Sequence, residues 1–264
     1  MIHPTAIVHP NAKLGADVKI GPFCIVGENV ALGNRVELVS NVIIGGKTSI
    51  GDDTIVYPFA VIGVMSQDLK WQDENAMTGV TIGKRNRIRE YVTISSGTPA
   101  SSGTTIGDDC QIMINAHVAH DCHLGNGIVL SNLVQIAGHV EIEDNVTVSA
   151  CSAVHQFVHI GRNAFIGAMT GIGTDVLPYA IYDGNRAGGV YRTINKVGLL
   201  RHGFTNEDLH AVHKVYSAFF DGADGDNSAE RLKKVRREVS HNKYAMDAID
   251  FIENRSERGV SSKH

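Results

Sequence analysis

The sequence predicts a parallel β-helix of hexapeptide repeats, folded as a triangular prism and followed by a small α-helical domain. Three observations lead there. An aliphatic residue returns every six positions through Ile2, Val8, Leu14, Ile20, Val26, Leu32, Leu38, Ile44, Ile50, Val56 and Ile62. The same beat resumes at Ile82, Ile88 and Ile94, then runs without a miss from Ile106 to Ile172. Beyond that point the spacing becomes that of helices, with Leu209, Val212, Tyr216, Phe219 and Phe220 as the first set.

A six-residue period suits neither an amphipathic helix, which repeats at about 3.6, nor a half-buried strand, which repeats at 2. A fixed repeat of this kind marks a solenoid, so the period decides the fold before local propensity does. Each hexad supplies one short side of the prism, and three sides close one coil. Val118, Ile136 and Val154 lie eighteen residues apart. They therefore stack in one column, at about 4.8 Å per step.

Residues 1–62 form an uninterrupted run of hexads. Pro4, Pro10, Pro22 and Pro58 fall where the chain must turn, and their fixed φ suits a corner. Gly15, Gly21, Gly27, Gly33, Gly45 and Gly51 directly follow aliphatics. They are expected where a positive φ or close coil stacking penalises a side chain. The step from Ile62 to Ile82 is twenty residues, not a multiple of six, so a loop is inserted. It includes Gln67, Asp68, the only tryptophan (Trp71) and Gln72. Such a loop is either a plain surface excursion or a binding loop. Ser95 to Gly103 is a second irregular stretch, rich in Ser and Gly.

Pro178, Gly184, Gly188 and Gly189 mark the exit, which divides the chain into a β-helix over 1–189 and a helical domain over 190–264. Thr205 is the expected N-cap of a helix with Glu207 and Asp208 in its first turn. Ser228 can cap the next helix, with Leu232, Val235 and Val239 on one face. Ile249 and Ile252 suggest a last helix before a polar tail. Arg231 to Arg237 is the most basic run of this part, either a solvated face or a dock for an acidic partner.

A net charge of −4 gives no general reason to expect nucleic acid as a partner. No apolar run approaches the ~18 residues of a membrane span, and the N-terminus lacks a signal-sequence pattern. The expected compartment is the cytoplasm. Cys24, Cys110 and Cys122 each stand two residues before a repeat aliphatic, in a slot filled elsewhere by small residues such as Ala116 and Ser152. The cysteines read as buried small apolar residues rather than disulfide partners.

The chemistry gathers in Asn115 to Cys122. His117 and His120 flank the column residue Val118, while His139 and His155 sit close to the next two members, Ile136 and Val154. Four of thirteen histidines thus fall on one edge within three coils. Two chemistries fit. Zinc is the first, with His117, His120 and His139 as ligands. The second is acyl transfer. A neutral imidazole with a pKa near ~6.5 takes a proton from a sugar hydroxyl. Asp121 would support His120, and the N–H near Gly138 would hold an oxyanion. Plain surface histidines are the bland alternative.

Several blocks together resemble the bacterial acyl carrier protein-dependent UDP-N-acetylglucosamine O-acyltransferases. They include Ile2-His3-Pro4-Thr5-Ala6-Ile7-Val8, Gln67-Asp68-Leu69-Lys70, Arg85-Asn86-Arg87-Ile88-Arg89-Glu90 and Met113 through Cys122. Ala137-Gly138-His139-Val140, Ala153-Val154-His155-Gln156-Phe157 and Gly203-Phe204 continue the likeness along the whole chain. The resemblance implies an all-β left-handed parallel β-helix with a helical C-terminal domain, assembled as a homotrimer with sites between subunits. It implies the first reaction of lipid A synthesis: transfer of a 3-hydroxyacyl chain from acyl carrier protein to the 3-hydroxyl of UDP-GlcNAc, without cofactor or metal.

By the same likeness His120 is the general base, Asp121 its support and Gly138 the oxyanion donor. His117, His139, His155 and Gln156 would position substrate. Gln67 and Asp68 would contact the sugar and acyl group, and Asn195 and Arg201 would lie near the uridine diphosphate. The basic helical run would meet the acidic carrier protein. Three departures stand out. Ser95-Ser96-Gly97-Thr98 replaces a frequent His-Arg-Gly-Thr, Val197 stands where some members carry an acid, and Ala168 replaces the glycine that ends the acyl groove. Rival readings are an N-acylating relative acting on an amino-sugar nucleotide, a zinc enzyme of the γ-carbonic anhydrase kind, and a non-enzymatic β-helix.

Overall fold

The computed structural model describes residues 1–71, 73–184, 189–221 and 227–261; Gln72 and Gly188 lie outside them. Most hexads contribute a strand of two residues whose second member is the buried aliphatic. Among the described residues these strands form three sheets of nine, eight and ten strands. The first face starts at Ile7–Val8, the second at Lys13–Leu14 and the third at Lys19–Ile20. Neighbours within a face are one coil apart: Val118 pairs with Ile136, Ile136 with Val154 and Val154 with Ile172. The expected column is present, and the architecture is a left-handed parallel β-helix followed by helices. We call the corner between first and second faces the first edge, that between second and third the second edge, and the remaining one the third edge.

The corners work differently from the expectation for glycine. Left-handed φ falls three residues after many of the aliphatics, on Asp17, Phe23, Arg35, Asn41, Asp53 and Phe59 among others, with φ between 53° and 65°. At Pro22-Phe23 and Pro58-Phe59 this matches a type II turn, where proline fits the second residue and the third takes positive φ. The glycines after the aliphatics answer to stacking instead. A Cβ on Gly21 would lie 1.7 Å from the Val39 carbonyl oxygen of the next coil, and one on Gly15 would lie 2.6 Å from the Gly33 carbonyl carbon. At Gly27 the nearest atom is 3.3 Å away, so the constraint is uneven.

Both insertions leave the prism at the first edge. Ile62 pairs with Ile94, thirty-two positions on instead of eighteen, and Ile94 pairs with Val118, twenty-four on. The Ser95 to Gly103 stretch therefore holds a whole extra hexad, and because twelve residues separate Ile94 from Ile106 the phase of the beat is kept across it. The two loops are joined. Gly79 and Gly97 form an antiparallel bridge, the Ser96 N–H donates to the Val64 carbonyl (2.8 Å), and the Ser96 hydroxyl accepts from the Gly79 N–H (3.0 Å). Ser95 and Ser96 are buried at this junction.

After the last coil, Val190–Ile194 pairs antiparallel with Ala180–Asp183 on the third face. Helices follow: α1 (Lys196–Arg201), α2 (Asn206–Phe220), α3 (Ser228–Glu238) and α4 (Lys243–Asp250), the last running into a π turn over Phe251–Arg255. Thr205 caps α2 in a reciprocal box with Asp208. Asn227, not Ser228, caps α3, because its side-chain oxygen reaches the Ala229 N–H at 3.0 Å. The expected polar tail is strapped down. Ser256 Oγ and the Arg258 N–H both donate to Asp175 Oδ2 at 2.9 Å.

Ion pairs pin this helical part to the prism. Glu143 on the prism accepts from Arg255 Nη1 (2.5 Å), Arg162 Nε (2.8 Å) and the His159 ring (3.0 Å), and Arg255 also holds Asp247 (2.6 Å). Burial alone would raise the Glu143 carboxyl; the bonds from His159 and Arg162 and the charge of Arg255 outweigh it and bring it down to about 2 from 4.5. A carboxyl depressed on folding stabilises fully above its unfolded pKa and loses that contribution as pH falls. Melting temperature is therefore expected to fall between pH 4.5 and 2 more steeply in the native protein than in a Glu143→Gln variant. Parallel curves for the two would contradict this.

Candidate active site

The first edge carries most of the predicted site. His117 projects from the first face, whereas His120 and Asp121 occupy the corner one turn further on. One coil later Gly138 and His139 take the same places, and His155, Gln156 and Phe157 follow on the next coil. The loop with Gln67 and Asp68 leaves this edge two coils before His117, next to the Ser95 to Gly103 loop. His155 and Gln156 are exposed, as is Gln67.

His120 and Asp121 form a dyad. His120 Nδ1 lies 2.8 Å from Asp121 Oδ2. An ionised carboxylate only accepts, so Nδ1 carries the proton and Nε2 keeps its lone pair. The ring lies against Gly138, where a Cβ would come within 2.6 Å of His120 Cε1 and 2.8 Å of Nε2. Only glycine leaves room for this ring. Among the described residues the Gly138 N–H has no hydrogen-bond partner, while its neighbours Ala137 and His139 donate to Val154 and His120 carbonyls. His139 sits at φ 60°, stacks flat on Phe157 at 4.6 Å and stands edge-on to His120 at 5.1 Å. His117 is held by Thr93 Oγ1 at 2.7 Å, and its burial lowers its pKa and favours the neutral ring.

Asp121 is enclosed. Oδ1 accepts from the Thr98 N–H (2.7 Å) and from the Ser101 hydroxyl, and Oδ2 accepts from Thr98 Oγ1 (2.7 Å) and His120. Burial works to raise this carboxyl, but the bonds from Ser101, His120 and Thr98 prevail and lower it, so Asp121 is an anion at neutral pH. For a metal, the set among the described residues whose ligand atoms come within 4.8 Å of one another is His120, Asp121 and His139. The zinc set read from the sequence is corrected here, because His117 turns to Thr93 instead. Asp121 also fits a metal poorly. Four donors already fill about the four lone-pair positions of a carboxylate.

Three predicted residues lie away from the first edge, Ala168 on the prism and the other two at helix α1. Asn195 caps α1 by accepting from the Gly198 N–H (3.2 Å) and donates to the Asn163 carbonyl (3.0 Å) at the second edge. Arg201 ends α1 and is exposed. Ala168 is exposed on the third edge, beside Met169. Within one chain none of these joins the dyad's edge. Sequence reasoning missed Thr93, Thr98, Ser101 and Thr104 as partners of the histidine edge. Thr104 Oγ1 accepts from the Asp121 N–H at 2.9 Å. Only the extra hexad before Ile106 signalled a loop able to fold over the dyad.

Comparison with known proteins decides the family. The chain is 45% identical over 261 residues to the acyl-(acyl-carrier-protein)–UDP-N-acetylglucosamine O-acyltransferase of Myxococcus xanthus, covering 98% of both chains. The chain belongs to this family. The enzyme of the same name from Agrobacterium fabrum is 41% identical over 262 residues, covering 99% of this chain and 95% of the relative. The model of the second domain of UDP-N-acetylglucosamine O-acyltransferase matches residues 175–261, and that of the bacterial transferase hexapeptide matches residues 103–138. The solved UDP-N-acetylglucosamine acyltransferase of Francisella novicida superposes with a TM-score of 0.93 at 36% identity, covering all of this chain and 94% of that one. The resemblance read from the sequence blocks therefore holds. Among the described residues no helix is long and apolar enough to cross a membrane.

Proposed function

We propose that the protein transfers a 3-hydroxyacyl chain from acyl carrier protein to the 3-hydroxyl of UDP-N-acetylglucosamine, opening lipid A synthesis. In a chain of this family, the observation that carries the reading is the His120–Asp121 dyad with its free Nε2 against Gly138. His120 Nε2 takes the proton of the sugar hydroxyl. The oxygen then bonds to the thioester carbonyl carbon, and the oxyanion that forms is met by the unpaired Gly138 N–H. The C–S bond breaks, and the departing thiolate of the carrier recovers the proton from His120. Asp121 holds the ring in the correct tautomer and stabilises its cation.

His117, His139, His155, Gln156, Gln67 and Asp68 line the approach along the first edge and would position sugar and acyl chain. Asn195 and Arg201 would reach the uridine diphosphate only from a neighbouring copy, which fits a homotrimer with sites between subunits. Exposed apolar residues support that assembly. Ile7, Ile25 and Ile43 climb the first face, and Phe23, Phe59, Tyr91, Leu133 and Met169 the third edge. Bulky residues with positive φ, bare to water, make poor sense on a free surface. Residues 1–189 would act as the catalytic domain and 190–264 as a helical domain that docks carrier protein through the exposed Lys233, Lys234 and Arg237. The four free cysteines suit the reducing cytoplasm.

The test is the product. Mild alkali should release the acyl chain from an ester, whereas an amide from an amino-sugar acceptor would survive and overturn the reading. Ala168 gives a second check. Its methyl would shorten the groove by about one to two chain carbons, since each methylene buried contributes ~0.8 kcal/mol and an overfilled groove forfeits it. Ala168→Gly is expected to move the preference to longer chains. An unchanged profile over a panel of chain lengths would remove Ala168 from this role.

A further inference from the structure

We infer that Thr98 and Ser101 are positioning residues for the dyad, their loop holding the Asp121 carboxylate in place and setting the basicity of His120. This rests on the general-base reading of His120 given above. Three of the four donors to Asp121 come from this loop: the Thr98 N–H and Oγ1 at 2.7 Å each, and the Ser101 hydroxyl. A loop merely tied down by an aspartate needs one such bond. Here the carboxylate is filled on both oxygens, one of which also serves His120 at 2.8 Å. The loop is itself braced: Thr78 Oγ1 donates to the Thr98 carbonyl at 3.2 Å, and the Thr78 N–H donates to the Gly97 carbonyl at 3.0 Å. That bracing joins the clamp on Asp121 to the loop carrying Gln67 and Asp68.

The electrostatic consequence has a sign. Donors to a carboxylate take up part of its charge, so His120 feels a weaker anion than a bare Asp121 would present. Removing one donor leaves more uncompensated charge beside His120 and favours its protonated form. The acid limb of the pH–rate profile then moves upward. The other titratable groups nearby are His117 and His139 on the prism. The cavity of ≈ 270 Å³ beside Asp121 is also lined by His123, Glu141 and His159 of the second face and by Asp175, Arg255 and Glu257. Among the described residues only His120 and His139 stand within ion-pair distance of Asp121, the latter at 3.5 Å. The Ser101 and Thr98 hydroxyls are therefore the direct control on this carboxylate.

The experiment is the pH dependence of kcat/KM for Ser101→Ala, Thr98→Val and Thr98→Ser beside the native protein and His120→Ala. Ser101→Ala and Thr98→Val should move the acid limb up by ~0.5–1 pH unit and lower kcat about tenfold, with KM for UDP-N-acetylglucosamine within about twofold. Thr98→Ser keeps the hydroxyl and should behave as native. An unmoved limb, or a loss uniform in pH that Thr98→Ser shares, overturns the positioning role while inactive His120→Ala leaves the general base standing. Near-native turnover of His120→Ala would instead bring down the reading on which the inference rests. Ser101→Ala removes one hydroxyl at the protein's margin, so it stays informative if Thr98→Val fails to fold.

Discussion

His120→Ala is expected to lower turnover by ~100-fold or more, the usual worth of a positioned general base, with little change in melting temperature. The two effects separate because His120 stands at a corner, outside the column of aliphatics that makes the core. Removing the ring forfeits an edge-on contact to His139 at 5.1 Å and one bond to Asp121. Asp121 keeps its donors from Thr98 and Ser101, so no buried carboxylate is left without partners. Turnover with a 3-hydroxyacyl carrier protein and thermal melting, measured on one preparation, check both halves. Near-native turnover would remove His120 from the chemistry. Lost turnover accompanied by a collapsed melting temperature would show that the ring is structural.

The largest expected loss of stability comes from a single methyl group far from the site. In Gly21→Ala the new carbon would lie 1.7 Å from the Val39 carbonyl oxygen and 2.7 Å from its carbon. Both are main chain, and the Gly21 N–H is itself bonded to the Leu38 carbonyl at 2.8 Å. Relief requires two stacked coils to part, which breaks ladder bonds and opens the core around Ile20 and Leu38. A cost of ~3 kcal/mol or more follows, or a melting temperature lower by roughly 6–12 °C. Gly27→Ala is the control. Its nearest atom stands at 3.3 Å, so a shift of a few tenths of an ångström accommodates it. Equal losses in the two variants would show that the glycines act through φ or the unfolded chain rather than through stacking.

The prism was legible because its signal is periodic. Ile136 alone says nothing, but Val118, Ile136, Val154 and Ile172 at one interval specify a stack, and their pairing follows the interval. The corners were less legible, since the left-handed residue found three places after many of the aliphatics can be Asp, Phe, Arg or Leu, with no shared chemistry to read. Helix α2 announced itself through Thr205 and Asp208. The short α1 did not, and its cap, Asn195, was read only as a nucleotide contact. Within the site, His120, Asp121 and His139 were recoverable because they share an edge by count. Thr98 and Ser101 were not. Their place over Asp121 depends on how an extra hexad folds back, and a loop's path is set by tertiary bonds such as Gly79 to Gly97 rather than by period. Ser95 and Ser96, which stand where His-Arg is frequent in the family, are buried where the two loops meet.

One measurement bears most directly on the claim that this edge performs acyl transfer with its own side chains. Metal-stripped protein is supplied with UDP-N-acetylglucosamine and a 3-hydroxyacyl carrier protein, and the sugar product is followed with and without added zinc. The account predicts an alkali-labile acyl ester at the same rate in both. Product that forms only once zinc is restored, or no acylated sugar at all, would contradict it.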